Sequence, residues 1–269
     1  MKRGGMQAIF VFALASLVIL PVFGDASTVE MESRILDKFD GTPYVVDGEE
    51  YHYSWKAVGS RFTTQSGEQK FPILNVISTA PMSLNRIAGE GGAKSLGLQG
   101  AFDRNGFNWI DIYPTLADDA DSSPVEIPLL GRTRFIDIWA WGSNLNYRLE
   151  AYIRDNRGVI HSIPMGSLKY TGWKNLRSAI PNGIPMVSNV IPRSTHATTF
   201  VKFRLWTDPR ERTYVDIERD KMGKIIKIVP FYLYLAQLKV LSDIYETVYD
   251  GDELANPKTT TRLWSETAN

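Results

Sequence analysis

Three histidines, a scatter of carboxylates and one glycine-rich loop are the places in this 269-residue chain where chemistry could sit. The loop is GEGGAKS, residues 89–95. A phosphate cradle needs G-x-x-x-x-G-K-[ST], because the backbone amides reach the phosphates only where a glycine directly precedes the lysine. Here Ala93 precedes Lys94 and Ala88 stands in the place of the first glycine, so the stretch reads as a flexible loop before a strand that starts at Ser95. Nucleophilic catalysis needs a Ser or Thr beside a histidine that a carboxylate orients. His52, His161 and His196 are scattered and no G-x-S-x-G elbow occurs. Without cysteine and with so few histidines, a catalytic zinc site has little to draw on. A glycosidase needs two carboxylates facing each other across a cleft. Asp111, Asp137, Glu150 and Asp155 lie in or beside strand-like runs, where solvent-facing carboxylates are common. The DDAD stretch at 118–121 offers hard oxygens for calcium but lacks the EF-hand spacing, and it reads as a solvated acidic loop. No enzyme, cofactor or metal site is expected.

The elements that carry these residues are strands. FIDIWAWGSNLNYRLEAYIRD, residues 135–155, reads as two alternating strands around a Gly-Ser-Asn turn. Side chains alternate along a strand, so Ile136, Ile138 and Ala140 share one face while Asp137, Trp139 and Trp141 share the other. The next strand sorts Tyr147, Leu149, Ala151 and Ile153 from Arg148, Glu150, Tyr152 and Arg154. Residues 199–206 oppose Val201, Phe203 and Leu205 to Phe200, Lys202, Arg204 and Trp206. The aliphatic sets are core. The opposing sets are aromatic and basic, and they make Trp139, Trp141, Arg148, Tyr152, Arg154, Phe200, Lys202, Arg204 and Trp206 the candidate interface. A buried Trp or Tyr removes about 150–250 Å² from water, worth roughly 4–6 kcal/mol at about 25 cal/mol per Å². Several bare rings would exceed the few hundred Å² of apolar patch that a monomer usually exposes. Either the chain's own loops and tail cover them, or a partner does, whether a protein or a sugar ring. Where successive strands belong to opposite sheets, these sets need not form one patch.

Period-two alternation recurs over residues 95–102, 108–113, 134–141, 147–155, 159–163, 199–206 and 225–241, with turn signals between and little helical periodicity. That pattern favours an all-β sandwich over βαβ units. Pro230 splits the last run and leaves 231–241 as a buried strand. IRDNRGVIHSI reads as a hairpin, residues 177–197 as an extended loop, and residues 250–269 as an irregular arm that carries Trp264. The first 24 residues have a basic start at Lys2 and Arg3, an apolar run and small residues near Gly24, the three parts of a cleaved secretory signal. Export with cleavage there leaves 28 basic against 30 acidic residues, a formal charge of −2. Near-neutrality argues against nucleic acid as a partner, and no membrane association is expected after cleavage. With no cysteine there is no disulfide framework and no lipidated N-terminal Cys. Residues 25–249 are expected to form a single domain.

Several long segments, in order, carry a family resemblance: SLGLQGAFDRNGFNWIDIYP (95–114), IPLLGRTRFIDIWAWGSNLNYRLEAYIRDNRGVIHSIPMGSLKYTGWKNL (127–176), AIPNGIP (179–185), KFRLWTDPRER (202–212) and FYLYLAQLKVLSDIYETVYDGDEL (231–254). They resemble the outer-layer, or sheath, proteins of the periplasmic flagellar filaments of spirochaetes. The resemblance implies a jelly-roll-like β-sandwich similar to carbohydrate-binding modules, with irregular N- and C-terminal arms. It also implies a non-enzymatic subunit in the periplasm that associates with the core flagellin filament, other sheath proteins and neighbouring copies, and that tunes filament shape, stiffness and motility. The alternative from the residues is a secreted lectin-like module that binds polysaccharide through Trp139, Trp141 or Trp206.

Overall fold

The computed structural model describes residues 30–46, 48–65, 70–116, 123–186, 198–210, 218–219, 222, 225–227, 230–244 and 256–266. The expected signal at 1–24, the acidic stretch at 118–121 and His196 lie outside these residues.

In chain order the strands begin with β1 (Glu30–Asp37), β2 (Tyr44–Val46), β3 (Glu49–Tyr51), β4 (Tyr53–Gly59) and β5 (Ile73–Ile77). Helix α1 (Met82–Ala88) then leads to β6 (Ser95–Gly100), β7 (Trp109–Leu116), β8 (Ile127–Pro128) and β9 (Arg132–Ser143). Next come β10 (Arg148–Arg154), β11 (Ile160–Ser167), β12 (Thr171–Ala179) and β13 (Thr199–Trp206). The chain ends with β14 (Glu218–Arg219), β15 (Ile225–Lys227), the long β16 (Phe231–Ile244) and helix α2 (Pro257–Glu266).

Two antiparallel sheets face each other. One has the order β12-β9-β16-β6-β5 with β1 also on β16; the other has the order β11-β10-β13-β7-β4 with β8 on β13. Strand β16 is the spine of the first sheet, because β9 pairs along one side of it while β6 and β1 share the other. A bulge at Gln237, with φ at 49°, shifts its register against β9 between Ala236 and Lys239. The inward faces supply the core. Ile136, Ile138 and Ala140 meet Leu149, Ala151, Ile153, Phe203 and Leu205, and all are fully buried. Strands of period two with one apolar face must bury that face against a second layer, and with so little helix in the chain that layer is the other sheet.

Three expectations need correction. Residues 135–155 are not one hairpin: β9 belongs to the first sheet and β10 to the second, so the chain crosses between sheets at 144–147. Asn144 takes a positive φ of 61° at that crossing. The N-terminal arm is ordered from Glu30 onward as β1, and the tail holds α2 rather than irregular chain throughout. Phe200 is in the core with no exposed surface. Against β10 the register jumps from Tyr152↔Lys202 to Ile153↔Phe200, so Val201 is the extra residue of a bulge, and the alternation inverts there. The 155–160 hairpin between β10 and β11 stands as expected.

Candidate interaction surfaces

The sandwich separates the expected aromatic-basic residues. Trp139 and Trp141 stand on the outer face of the first sheet, whereas Arg148, Tyr152, Arg154, Lys202, Arg204 and Trp206 stand on the outer face of the second. No single patch can include both sets.

On the second sheet, cross-strand register brings Glu150 opposite Arg204, Tyr152 opposite Lys202, and Arg204 opposite Asp111. Arg204 forks onto Asp111, with Nε 2.5 Å from Oδ1 and Nη2 2.7 Å from Oδ2, and Lys202 Nζ donates to the same carboxylate at 2.7 Å. Around that guanidinium stand the rings of Trp109 (4.5 Å), Trp206 (5.2 Å) and Tyr152 (5.4 Å). Trp206 Nε1 and the Tyr152 hydroxyl both donate to Glu150 Oε2, at 2.9 and 3.1 Å. Hydrogen bonds to Asp111 hold the Arg204 guanidinium above its ordinary value, against the opposing effect of burial. Farther along β10, Arg154 grips Glu126 through Nε and Nη2 and reaches the Gly158 carbonyl at 3.0 Å. Burial by itself raises the Glu126 carboxyl, but hydrogen bonds from Arg154 and Thr199 outweigh it and leave the group below the usual carboxylate range. Lys202, Arg204, Arg154 and the rings of Tyr152 and Trp206 are thus engaged with their own chain, whereas Arg148 is exposed.

On the first sheet, register sets Trp173, Trp141 and Tyr234 side by side across β12, β9 and β16. Trp141 meets Tyr234 edge to face at 5.4 Å, and Trp173 lies 6.4 Å from the same ring. Trp139 is covered from within: α1 lays Leu84 over Ala236, and Trp139 and Trp173 pack against that pair. Trp139, Trp141 and Trp173 are all half-buried.

The residues considered for chemistry disperse likewise. The glycine-rich loop leaves the end of α1 and enters β6, the reverse of the strand-to-helix order a phosphate cradle uses. Asp137 accepts from Asn175 Nδ2 at 2.6 Å on the first sheet, while Asp111 and Glu150 are occupied on the second. Asp155 is buried and accepts from the Arg157 and Val159 N–H groups, with His161 Nε2 at 2.8 Å. Burial alone raises its carboxyl; the His161 contact and the two backbone bonds bring it below the ordinary value. Among the described residues, no three His, Asp or Glu side chains gather to hold a metal ion, and no helix is long and apolar enough to cross a membrane.

A cleft of about 640 Å³ runs between β1 and β2, lined by Arg34, Leu36, Asp37, Tyr44 and Leu130 among others. At its base Asp37 accepts from Trp55 Nε1 at 2.7 Å and from the Phe39 N–H at 2.6 Å. Burial pushes its carboxyl up to about 6, with the two hydrogen bonds pulling the other way.

Reading strand faces alone passed over the loops. Arg61, Phe62, Arg104 and Phe107 are exposed together at one end of the second sheet, in SRFT and DRNGFN. Arg104 lies 5.0 Å and Arg61 6.0 Å from the Phe62 ring. The available signal was two arginines and two phenylalanines beside turn residues, but loop positions have no periodicity to sort buried from exposed.

Residues 64–249 match the family described as flagellar filament outer layer protein Flaa. A putative flagellar filament outer layer-like protein of Brachyspira hyodysenteriae is 25% identical over 214 residues, covering 79% of this chain and 84% of that one. Among solved structures, the family 11 carbohydrate-binding module of a Clostridium thermocellum cellulosomal cellulase aligns over 81% of this chain and 98% of its own, at a TM-score of 0.38 and 10% identity. A xylan-binding domain from CBM 22 aligns over 79% of this chain and 95% of its own, at a TM-score of 0.30 and 12% identity.

Proposed function

Because this chain belongs to the flagellar filament outer layer protein family, we propose that it is a non-catalytic structural subunit of the outer layer, or sheath, of a periplasmic flagellar filament. The observation that carries the proposal is the family match over residues 64–249, which includes most of the sandwich from β6 to β16. In this reading the first 24 residues are a signal removed on export, residues 25–249 are the sheath domain, and the rest is a C-terminal arm. The mature subunit lies in the periplasm, and its partners are the core flagellin filament, other sheath proteins and neighbouring copies.

The mechanism is physical. A β-sandwich whose outer faces are braced by ion pairs and stacked rings is stiff, and a layer of such units adds bending resistance to the filament inside it. Uneven decoration around the core biases its curvature. Each contact needs only modest strength, since a subunit held by several neighbours gains avidity. A formal charge near neutrality lets copies crowd without accumulated repulsion. The test is to isolate filaments from cells that make the protein, and to ask by immunoblot and N-terminal sequencing whether the processed chain co-purifies. Its presence near Asp25 as first residue supports the reading, whereas recovery only in the soluble fraction overturns it.

A further inference from the structure

The two ends of the second sheet carry opposite charges beside exposed apolar side chains. At one end Arg61, Phe62, Arg104 and Phe107 lie on loops next to the Gly59 end of β4 and the Trp109 end of β7; Ser60 N–H donates to the Trp109 carbonyl at 2.8 Å and joins these loops. Phe107 is 68% exposed. At the other end the tip of the β2–β3 hairpin exposes Val45 and Glu50, a cross-strand pair on its outer face, and Glu49 on the opposite face beside Tyr51, with Val45 54% exposed. Only His52 separates β3 from β4, and the Tyr44 hydroxyl donates to the Pro128 carbonyl beside Thr199, at the end of β13 remote from Trp206. The hairpin and the arginines are therefore a strand length apart, about 23 Å for seven residues at roughly 3.3 Å each.

The charges at these ends differ from those on the sheet faces. Asp111, Glu126 and Asp243 each hold an arginine of the same chain. Among the described residues, neither Arg61 nor Arg104 has a carboxylate within ion-pair distance. Among the described residues Glu49 and Glu50 have no lysine or arginine within ion-pair distance; Glu49 accepts from the Tyr51 hydroxyl at 2.9 Å and Glu50 lies 3.8 Å from His52 Nε2. Asp103 offsets one arginine, so the loop end is left with a single positive charge, against three acidic residues in the hairpin sequence, Asp47, Glu49 and Glu50.

We propose that copies of this chain meet head to tail, the β2–β3 hairpin of one seating Val45, Glu49 and Glu50 against Arg61, Phe62, Arg104 and Phe107 of the next. The occupant is a second copy because the two patches complement each other in charge and both have an apolar centre, the composition of a protein interface. Unlike patches on opposite ends form a heterologous contact, which repeats into a row instead of closing as a dimer. Rows of this kind suit a layer on a filament, so the inference rests on the outer-layer reading and names the contact that builds it.

The chain has no cysteine, which makes a cross-linking test direct. Full chains carrying Val45→Cys and Phe107→Cys together, and each alone, are treated with a short bis-maleimide on isolated filaments and as concentrated purified protein. The double variant should give a ladder of multimers, and each single variant should stay monomeric. Into that background, Arg61→Glu with Arg104→Glu, or Glu49→Arg with Glu50→Arg, should abolish the ladder. Mixing the two charge-reversed chains should restore it, because every junction in an alternating row again joins opposite charges; restoration also shows that both variants are folded. No ladder from the double variant, dimers from a single variant, or no rescue on mixing overturns the head-to-tail contact. If filaments carry the chain without a ladder, this contact is wrong and the outer-layer reading stands. If filaments lack the chain, the outer-layer reading falls, and the ladder in solution decides the contact by itself.

Discussion

The Arg204 guanidinium meets the Asp111 carboxylate through two parallel contacts, Nε to Oδ1 at 2.5 Å and Nη2 to Oδ2 at 2.7 Å, beneath the rings of Trp109, Tyr152 and Trp206. This fork joins β13 to β7 in the middle of the second sheet. Asp111 is only 6% exposed, so removing the arginine leaves a buried carboxylate with Lys202 as its remaining cation. Breaking a buried pair from one side costs about 3–5 kcal/mol. Arg204→Ala should lower the unfolding free energy of the mature domain by about 3 kcal/mol in a denaturant titration. Arg204→Lys should recover only part of that, since an ammonium cannot fork. A loss below about 1 kcal/mol, typical of a surface pair, would contradict the bracing role.

Phe200 gives a second test. Its ring lies tilted against Phe203 at 4.8 Å and Trp55 at 6.2 Å in the core. Phe200→Ala should cost about 3–5 kcal/mol, measured by the same titration. Alanine at Val201, the half-buried bulge residue next to it, should cost clearly less. Equal effects would mean that the bulge is misplaced.

This pair of residues also shows where sequence reading succeeds and stops. The bounds of 199–206 coincide with β13, because its apolar alternation and flanking turns are strong. The face of Phe200 is lost because one extra residue inverts the alternation, and a bulge leaves no mark in hydrophobic pattern. Trp139 and Trp141 were legible as lying opposite the core residues Ile136, Ile138 and Ala140, yet their cover by α1 depends on a seven-residue helix too short to register as a period. The change of sheet between β9 and β10 was one of two readings that the pattern left open, since a Gly-Ser-Asn sequence serves a hairpin and a crossing alike. Strands β2 and β3 are three residues each and carry too few positions for a pattern.

Trp139 should behave as a covered residue. Its ring packs with Leu84 and Ala236 beneath α1, so Trp139→Ala should destabilise the isolated domain by about 3 kcal/mol and Leu84→Ala by about 2 kcal/mol. Thermal unfolding of the two variants checks this. An unchanged melting temperature for Trp139→Ala would mean that the ring is free for a partner or a sugar.

Asp37 predicts a pH dependence. Its folded-state value of about 6 lies above the ordinary 3.8, so the folded state binds the proton more tightly than the unfolded one. The resulting stabilisation is full below about pH 4 and is lost as pH rises through about 6, with a span of about 3 kcal/mol at roughly 1.4 kcal/mol per pH unit. Asp37→Asn should flatten the stability profile across that window. Asparagine also turns an N–H₂ toward one of the two donors, so the variant should be less stable than the wild type at pH 4. A wild-type profile that is flat or rising between pH 4 and 6, with the same profile in the variant, would show that Asp37 does not titrate there.

The central claim, that this chain forms the outer layer of a flagellar filament, is tested most directly by a reconstruction of isolated filaments at a resolution that separates two β-sheets. The account predicts two-sheet density of this chain outside the core flagellin, absent from filaments of cells that lack the protein. Filaments whose outer density is unchanged by that deletion would contradict it.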